Sequence, residues 1–149
     1  MPKKTYFVTV LGEQEVDGQT IETKVAVPCR FEVKGKFGLI SYDEHIEMEK
    51  VSSKIKIYGP KSIIIAREGR QSAKLKLEEG EHHVCTYGTE FGALRLGVFT
   101  HKINCNMSQN GCSIQLEYSL DTNDVILSKN KVIINVKEAN DVESSIKSN

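Results

Sequence analysis

The run Cys112-Ser113-Ile114-Gln115-Leu116-Glu117-Tyr118-Ser119-Leu120-Asp121 alternates five apolar with five polar residues without a slip. Side chains of an extended strand point to opposite faces in turn, so this alternation builds a ribbon with one dry side and one wet side. Lys54-Ile55-Lys56-Ile57-Tyr58 and Lys74-Leu75-Lys76-Leu77-Glu78 repeat the pattern. Val25, Val27, Cys29, Phe31 and Val33 continue it against Arg30, Glu32 and Lys34. Pro28 cannot donate to a ladder and predicts an edge or a bulge in that strand.

Turn signals separate the runs: Asp17-Gly18, Lys34-Gly35-Lys36, Gly59-Pro60-Lys61, Glu68-Gly69-Arg70, Glu79-Gly80-Glu81, Asn110-Gly111 and Asn123-Asp124. About ten strands follow, at 5–15, 21–34, 37–43, 53–58, 62–68, 72–78, 81–87, 93–102, 112–121 and 124–138. Asp43 to Ser52 fits neither period and reads as an extended crossing segment with at most one helical turn. Residues 139–149 are polar and aperiodic, which predicts a flexible C-terminal tail after a barrel domain at 1–138.

Ten short antiparallel strands must stack as two sheets or close on themselves. Closure removes exposed edges, and near eight strands it leaves an interior that side chains fill or that holds one small ligand. The expected fold is all-β, a single antiparallel up-and-down barrel of about 8–10 strands with little helix; a sandwich is the second choice. At 149 residues the chain forms one domain with a core of its own.

Twenty basic residues balance twenty acidic ones, so no global field draws nucleic acid or an anionic membrane. The absence of Trp and an aromatic share of 7% weaken any base-stacking platform. The sequence shows neither a secretory h-region nor an apolar span, and the expected location is cytoplasmic. Cys29, Cys85, Cys105 and Cys112 lack CxxC spacing and are expected as free thiols.

Chemistry-bearing residues are few. On one strand face, His83 and Cys85 share a side while His82 points away. They are weak candidate metal ligands that would need a third from another strand, for instance His101 or Cys105. A nucleophilic cysteine needs a lowered pKa and an oriented base, and the pattern supplies neither. No cofactor, phosphate loop or catalytic motif is expected, and the chain reads as a non-enzyme. Arg67 shares a phase with Ile63 and Ile65, which turns it inward near a rim. There it either clamps an anion or serves structurally, bonding carbonyls of the barrel floor or lying over a ring such as Tyr118. The structural role is preferred.

Arg67-Glu68-Gly69, Glu79-Gly80, Tyr87-Gly88-Thr89-Glu90-Phe91-Gly92, Thr100 and Tyr118-Ser119-Leu120 fall in order along the chain. In that arrangement, from about residue 4 to residue 138, the sequence resembles the YwiB-like family of bacterial proteins of unknown function. Glu90 stands where that family usually has Pro, and Gly88 where it often has a polar residue. The resemblance implies a calycin-type, lipocalin-like barrel and no particular reaction.

The favoured function is binding of a small, partly apolar or anionic molecule in the barrel, lined by Arg67, Tyr87, Phe91 and Tyr118. The alternative is a structural or interaction module with a filled barrel and a protein partner, a second copy of the chain included. Gly69, Gly80, Gly88, Thr89 and Gly92 are expected to be structural. Gly88 and Gly92 supply positive φ or a bulge, Thr89 bonds the local backbone, and Phe91 tucks over the barrel end beside Tyr87.

Overall fold

A computed structural model describes residues 5–139; positions 1–4 and 140–149, where the tail was expected, lie outside the described residues. Ten strands run in order: β1 (Tyr6–Val16), β2 (Gln19–Lys34), β3 (Phe37–Ile46), β4 (Glu49–Gly59), β5 (Ser62–Glu68), β6 (Ser72–Glu78), β7 (His82–Thr89), β8 (Gly92–Ser108), β9 (Gly111–Thr122) and β10 (Val125–Glu138). Each strand lies beside its neighbours in sequence, and β1 pairs with β10, closing an up-and-down barrel. The expected all-β antiparallel barrel is the observed one.

Three connections are two-residue loops with both residues left-handed: Asp17-Gly18, Glu47-Met48 and Asn123-Asp124. Such loops carry the twist that a right-handed hairpin needs. The second of them corrects the crossing segment expected at Asp43 to Ser52. There β3 and β4 pair without interruption from Gly38 opposite Ile57 to Ile46 opposite Glu49.

β8 also runs further than its expected end at residue 102. Its register with β9 shifts between Thr100 and Lys102, so the buried phase moves from Val98 and Thr100 to Ile103. Cys105 and Met107 then pack against the core on that new phase.

The start of β1, the end of β10 and the β2–β3, β4–β5, β6–β7 and β8–β9 turns mark the floor of the barrel, and the other turns mark its mouth. Ile40, Ile57, Ile63, Leu77, Ile103 and Ile114 fill the floor half and are almost wholly buried. Each such side chain contributes roughly 1.5–3 kcal/mol relative to exposure. The Tyr6 and Phe31 rings meet edge-on at 5.2 Å, and the Tyr6 hydroxyl donates to the Gln109 carbonyl at 3.0 Å.

Two ladders are short. β2 meets β3 only from Arg30 opposite Ser41 to Lys34 opposite Phe37. Pro28 therefore sits on a stretch of β2 paired with β1 alone, the edge that its missing N–H calls for. β6 meets β7 only from Ser72 opposite Gly88 to Lys74 opposite Thr86. Below that point the Gly80 N–H donates to the Thr100 carbonyl at 2.8 Å, and the β6–β7 turn leans on β8 instead.

Candidate functional site

Residues directly opposite each other on paired strands share a face. Tyr42 faces Ser53, Ser53 faces Arg67, Arg67 faces Ala73, and Ala73 faces Tyr87. One row thus crosses five strands on the inner wall, just below the mouth. Glu44 lies one step nearer the rim on β3, its Oε1 3.7 Å from Arg67 Nη2. Tyr118 comes from the opposite wall, between Thr100 and Asn130.

The electrostatics agree with that grouping. Burial pushes the Tyr118 hydroxyl up to about 12, and the nearby Tyr87 and Cys85 add to the rise while the Arg67 charge opposes it. Burial likewise raises Tyr42 and Tyr87, and Arg67 pulls each back down. Arg67 therefore acts on all three tyrosines at once. The Ser53 Oγ is buried without a well-formed hydrogen bond, although its contact with Tyr42 offsets part of that ring's burial effect. Apolar side chains fill the floor half of the interior, whereas Tyr42, Ser53, Arg67, Tyr87 and Tyr118 bring polar groups to the mouth half.

Two clefts reach this row. One of about 380 Å³ is lined by Val51, Arg67, Arg70, Ala73, Tyr87 and Glu90. The other, about 690 Å³, opens where β2 leaves β3 and is lined by Cys29, Tyr42 and Ser53 among others. Arg70 is already held by Glu49 at 2.9 Å and Glu90 at 3.6 Å. Arg67, with one long ion pair among the described residues, keeps donors to spare.

Arg67 and Tyr87 lie on one row of the inner wall, and Tyr118 faces them from the opposite wall. Arg67 does not cap the floor: it stands at the mouth, and among the described residues its ion-pair partner is a carboxylate rather than a carbonyl or the Tyr118 ring. Phe91 is a correction. It occupies the two-residue β7–β8 turn and is 98% exposed, because the turn projects past the rim and leaves nothing for the ring to cover. Thr89 holds this turn, its Oγ1 accepting from the Phe91 N–H at 3.2 Å and donating to the Gly92 carbonyl at 2.7 Å. Gly92 has the expected positive φ of 117°. Gly88 does not; a Cβ there would come within 2.5 Å of Ser72 Oγ, so close approach to β6 is what it provides.

The thiols are the reverse of activated. Burial lifts Cys29 to about 11 and Cys112 to about 12, and raises Cys85 and Cys105 as well. Cys85 is buried in the core, and the groups beside His83 are Glu78 and Glu81 rather than Cys85. The suggested third ligands are elsewhere: His101 Nε2 bonds Ser119 Oγ at 2.8 Å, and Cys105 packs against the core near the floor.

A family profile described as a domain of unknown function, DUF1934, matches residues 8–134. The chain belongs to that family. The crystal structure of the ywiB protein from Bacillus subtilis is similar to it, with a TM-score of 0.80 over 91% of this chain and 92% of that one. Identity is 18%, so this likeness establishes the shared barrel and nothing of its use. Among curated proteins none matches. The YwiB-like resemblance read from the sequence is therefore the family found.

Glu44, Tyr42 and Ser53 were not singled out in the sequence. Tyr42 shares the phase of Ile40, and Ser53 that of Ile55 and Ile57, so both were within reach of the alternation. Glu44 fell in the window whose hairpin was not recognised.

Proposed function

We propose that this protein is a non-catalytic binding module that takes a small, partly apolar molecule at the barrel mouth, with an anionic or acceptor group on Arg67. The observation carrying this reading is the convergence of Arg67 and Tyr87 on a cleft of about 380 Å³. That volume falls in the range of small-molecule sites, and a few fixed polar groups over an apolar base are their usual makeup. Tyr42, Ser53 and Tyr118 extend the polar wall inward, while the filled floor below limits the ligand to the mouth half.

A second reading has its own support. The floor half is so fully packed by Ile40, Ile63, Leu77 and Ile114 that the barrel serves equally as a rigid scaffold for a protein partner or a second copy. No helix among the described residues is long and apolar enough to cross a membrane.

Native mass spectrometry of the chain purified from its own host separates the two. A co-purifying small molecule that is lost in Arg67→Met supports the mouth site. Bare protein, or a molecule retained equally by that variant, overturns it. The same spectrum gives the oligomeric state.

A further inference from the structure

At the floor end, far from the mouth, the β6–β7 ladder stops at Lys74 opposite Thr86. Three side chains gather beyond that stop: Glu78 at the end of β6, Glu81 in the turn, and His83 near the start of β7. His83 Nε2 lies 3.1 Å from Glu78 Oε1 and 3.6 Å from Glu81 Oε2, and the three donor atoms all fall within 4.8 Å of one another.

We propose that Glu78, Glu81 and His83 form a divalent transition-metal site that clasps β6 to β7 across the gap in their ladder. Zinc binds imidazole nitrogen and carboxylate oxygen at about 2.0–2.2 Å, which sets its ligands about 3.0–3.6 Å apart in tetrahedral or octahedral geometry. Both His83 contacts fall in that interval. The two separations from His83 suit an ion as they stand, and the two carboxylates lie within 4.8 Å of each other.

A second observation points the same way. His83 Nε2 is shielded from solvent, and its near partners among the described residues are the two carboxylates themselves, Glu78 Oε1 at 3.1 Å in a contact too poorly directed for a full hydrogen bond. A buried polar atom left so is costly unless another partner takes it. An ion between the imidazole and two carboxylates is such a partner, and the more exposed Glu81 leaves its outer side open to water.

The mixed ligand set selects the ion. Imidazole favours zinc and its first-row neighbours over magnesium or calcium, and the absence of thiolate removes any preference for copper(I). Lys76 Nζ, 3.2 Å from Glu78 Oε1, competes for that carboxylate and sets the affinity below that of a free site. The clasp would join β6 to β7 beyond the point where their ladder stops, so binding adds to folding stability.

Calorimetric titration of zinc chloride into the chelator-treated full chain tests this. One equivalent is expected to bind, with at least about tenfold weaker binding in both His83→Ala and Glu81→Gln. The melting temperature of the wild-type chain should rise with zinc, and that of Glu81→Gln should rise less. Glu81 is largely exposed, so its variant folds even where His83→Ala does not. Lys76→Met should tighten binding. No uptake of zinc, uptake unchanged in both variants, or loss in His83→Ala with Glu81→Gln binding as the wild type each overturns the site.

Discussion

Arg67 and Glu44 meet at the inner rim of the mouth, Nη2 to Oε1 at 3.7 Å, with the carboxylate side chain 17% exposed and the guanidinium 48%. Glu44 is the more enclosed partner and depends on Arg67 for compensation; Arg67, half in water, depends little on Glu44. That asymmetry separates a structural role for Arg67 from a binding one. Arg67→Met should cost about 1 kcal/mol by stranding a partly enclosed charge, and Glu44→Gln in the same chain should recover most of it. Urea unfolding of the two single variants and the double variant would show a coupling on the order of 0.5–1 kcal/mol. Additive losses would mean that the pair is incidental. A ligand bound at Arg67 is lost in both Arg67 variants, whether or not stability recovers.

The β7–β8 turn rests on Thr89 and Gly92. At φ 117° a side chain is strained even though no neighbouring atom crowds the position of a Cβ. Gly92→Val should therefore cost roughly 1–3 kcal/mol, through the backbone rather than through a clash. Thr89→Val removes both hydroxyl bonds of an exposed turn and should cost about 1 kcal/mol. Phe91→Ser, by contrast, should leave thermal unfolding unchanged, and a large loss there would contradict the ring's exposure.

How much of this was legible in the sequence follows from where the alternation holds. Every strand with an unbroken period of two lies within a few residues of its expected bounds. The two misplaced regions have separate physical causes. Glu47-Met48 makes a turn that normally asks for Asn-Gly or Asp-Gly, so residue type gave no warning of the β3–β4 hairpin. At β8 the register shift beside His101 moves the buried set from even to odd positions, and a period read straight through ends there. In the mouth, Arg67 was found by its phase with Ile63 and Ile65, and Glu44 was hidden by the unread hairpin. Phe91 was misplaced because residue type says nothing about how far a turn projects. The Glu78–Glu81–His83 cluster needed three dimensions, since its members meet across the β6–β7 turn, which the Glu81 N–H closes on the Glu78 carbonyl at 3.0 Å.

Met48 offers a direct check on that unread turn. It is fully exposed and left-handed at φ 67°, so it gains no packing in return for its conformation. A left-handed non-glycine residue costs roughly 1–2 kcal/mol, and glycine gives back about 0.5–1 kcal/mol of that through its freer unfolded chain. Met48→Gly should raise stability by roughly 0.5–1 kcal/mol. A higher urea midpoint with unchanged slope is the expected readout, and a lower midpoint would mean that Met48 has a role its exposure conceals.

Glu79 ties the floor together and should shape the acid limb of stability. Its Oε2 accepts from the Ile103 N–H at 2.8 Å and from Lys61 Nζ at 3.0 Å, and Lys61 also donates to the Ile103 carbonyl at 2.8 Å. One carboxylate thus links the β6–β7 turn, β8 and the β4–β5 turn. The Ile103 N–H and then Lys61 hold its pKa below the usual 4.5. A carboxyl whose pKa is lowered by folding stabilises the native state above its unfolded value and gives that stability up as pH falls through the folded value. The wild-type chain should therefore lose stability from about pH 5 downward. Glu79→Gln, which has no charge to lose, should be less stable at pH 7 and fall less steeply below pH 5. Urea midpoints at pH 7, 5 and 3 measure both, and parallel pH profiles for the two proteins would remove Glu79 from any part in acid unfolding.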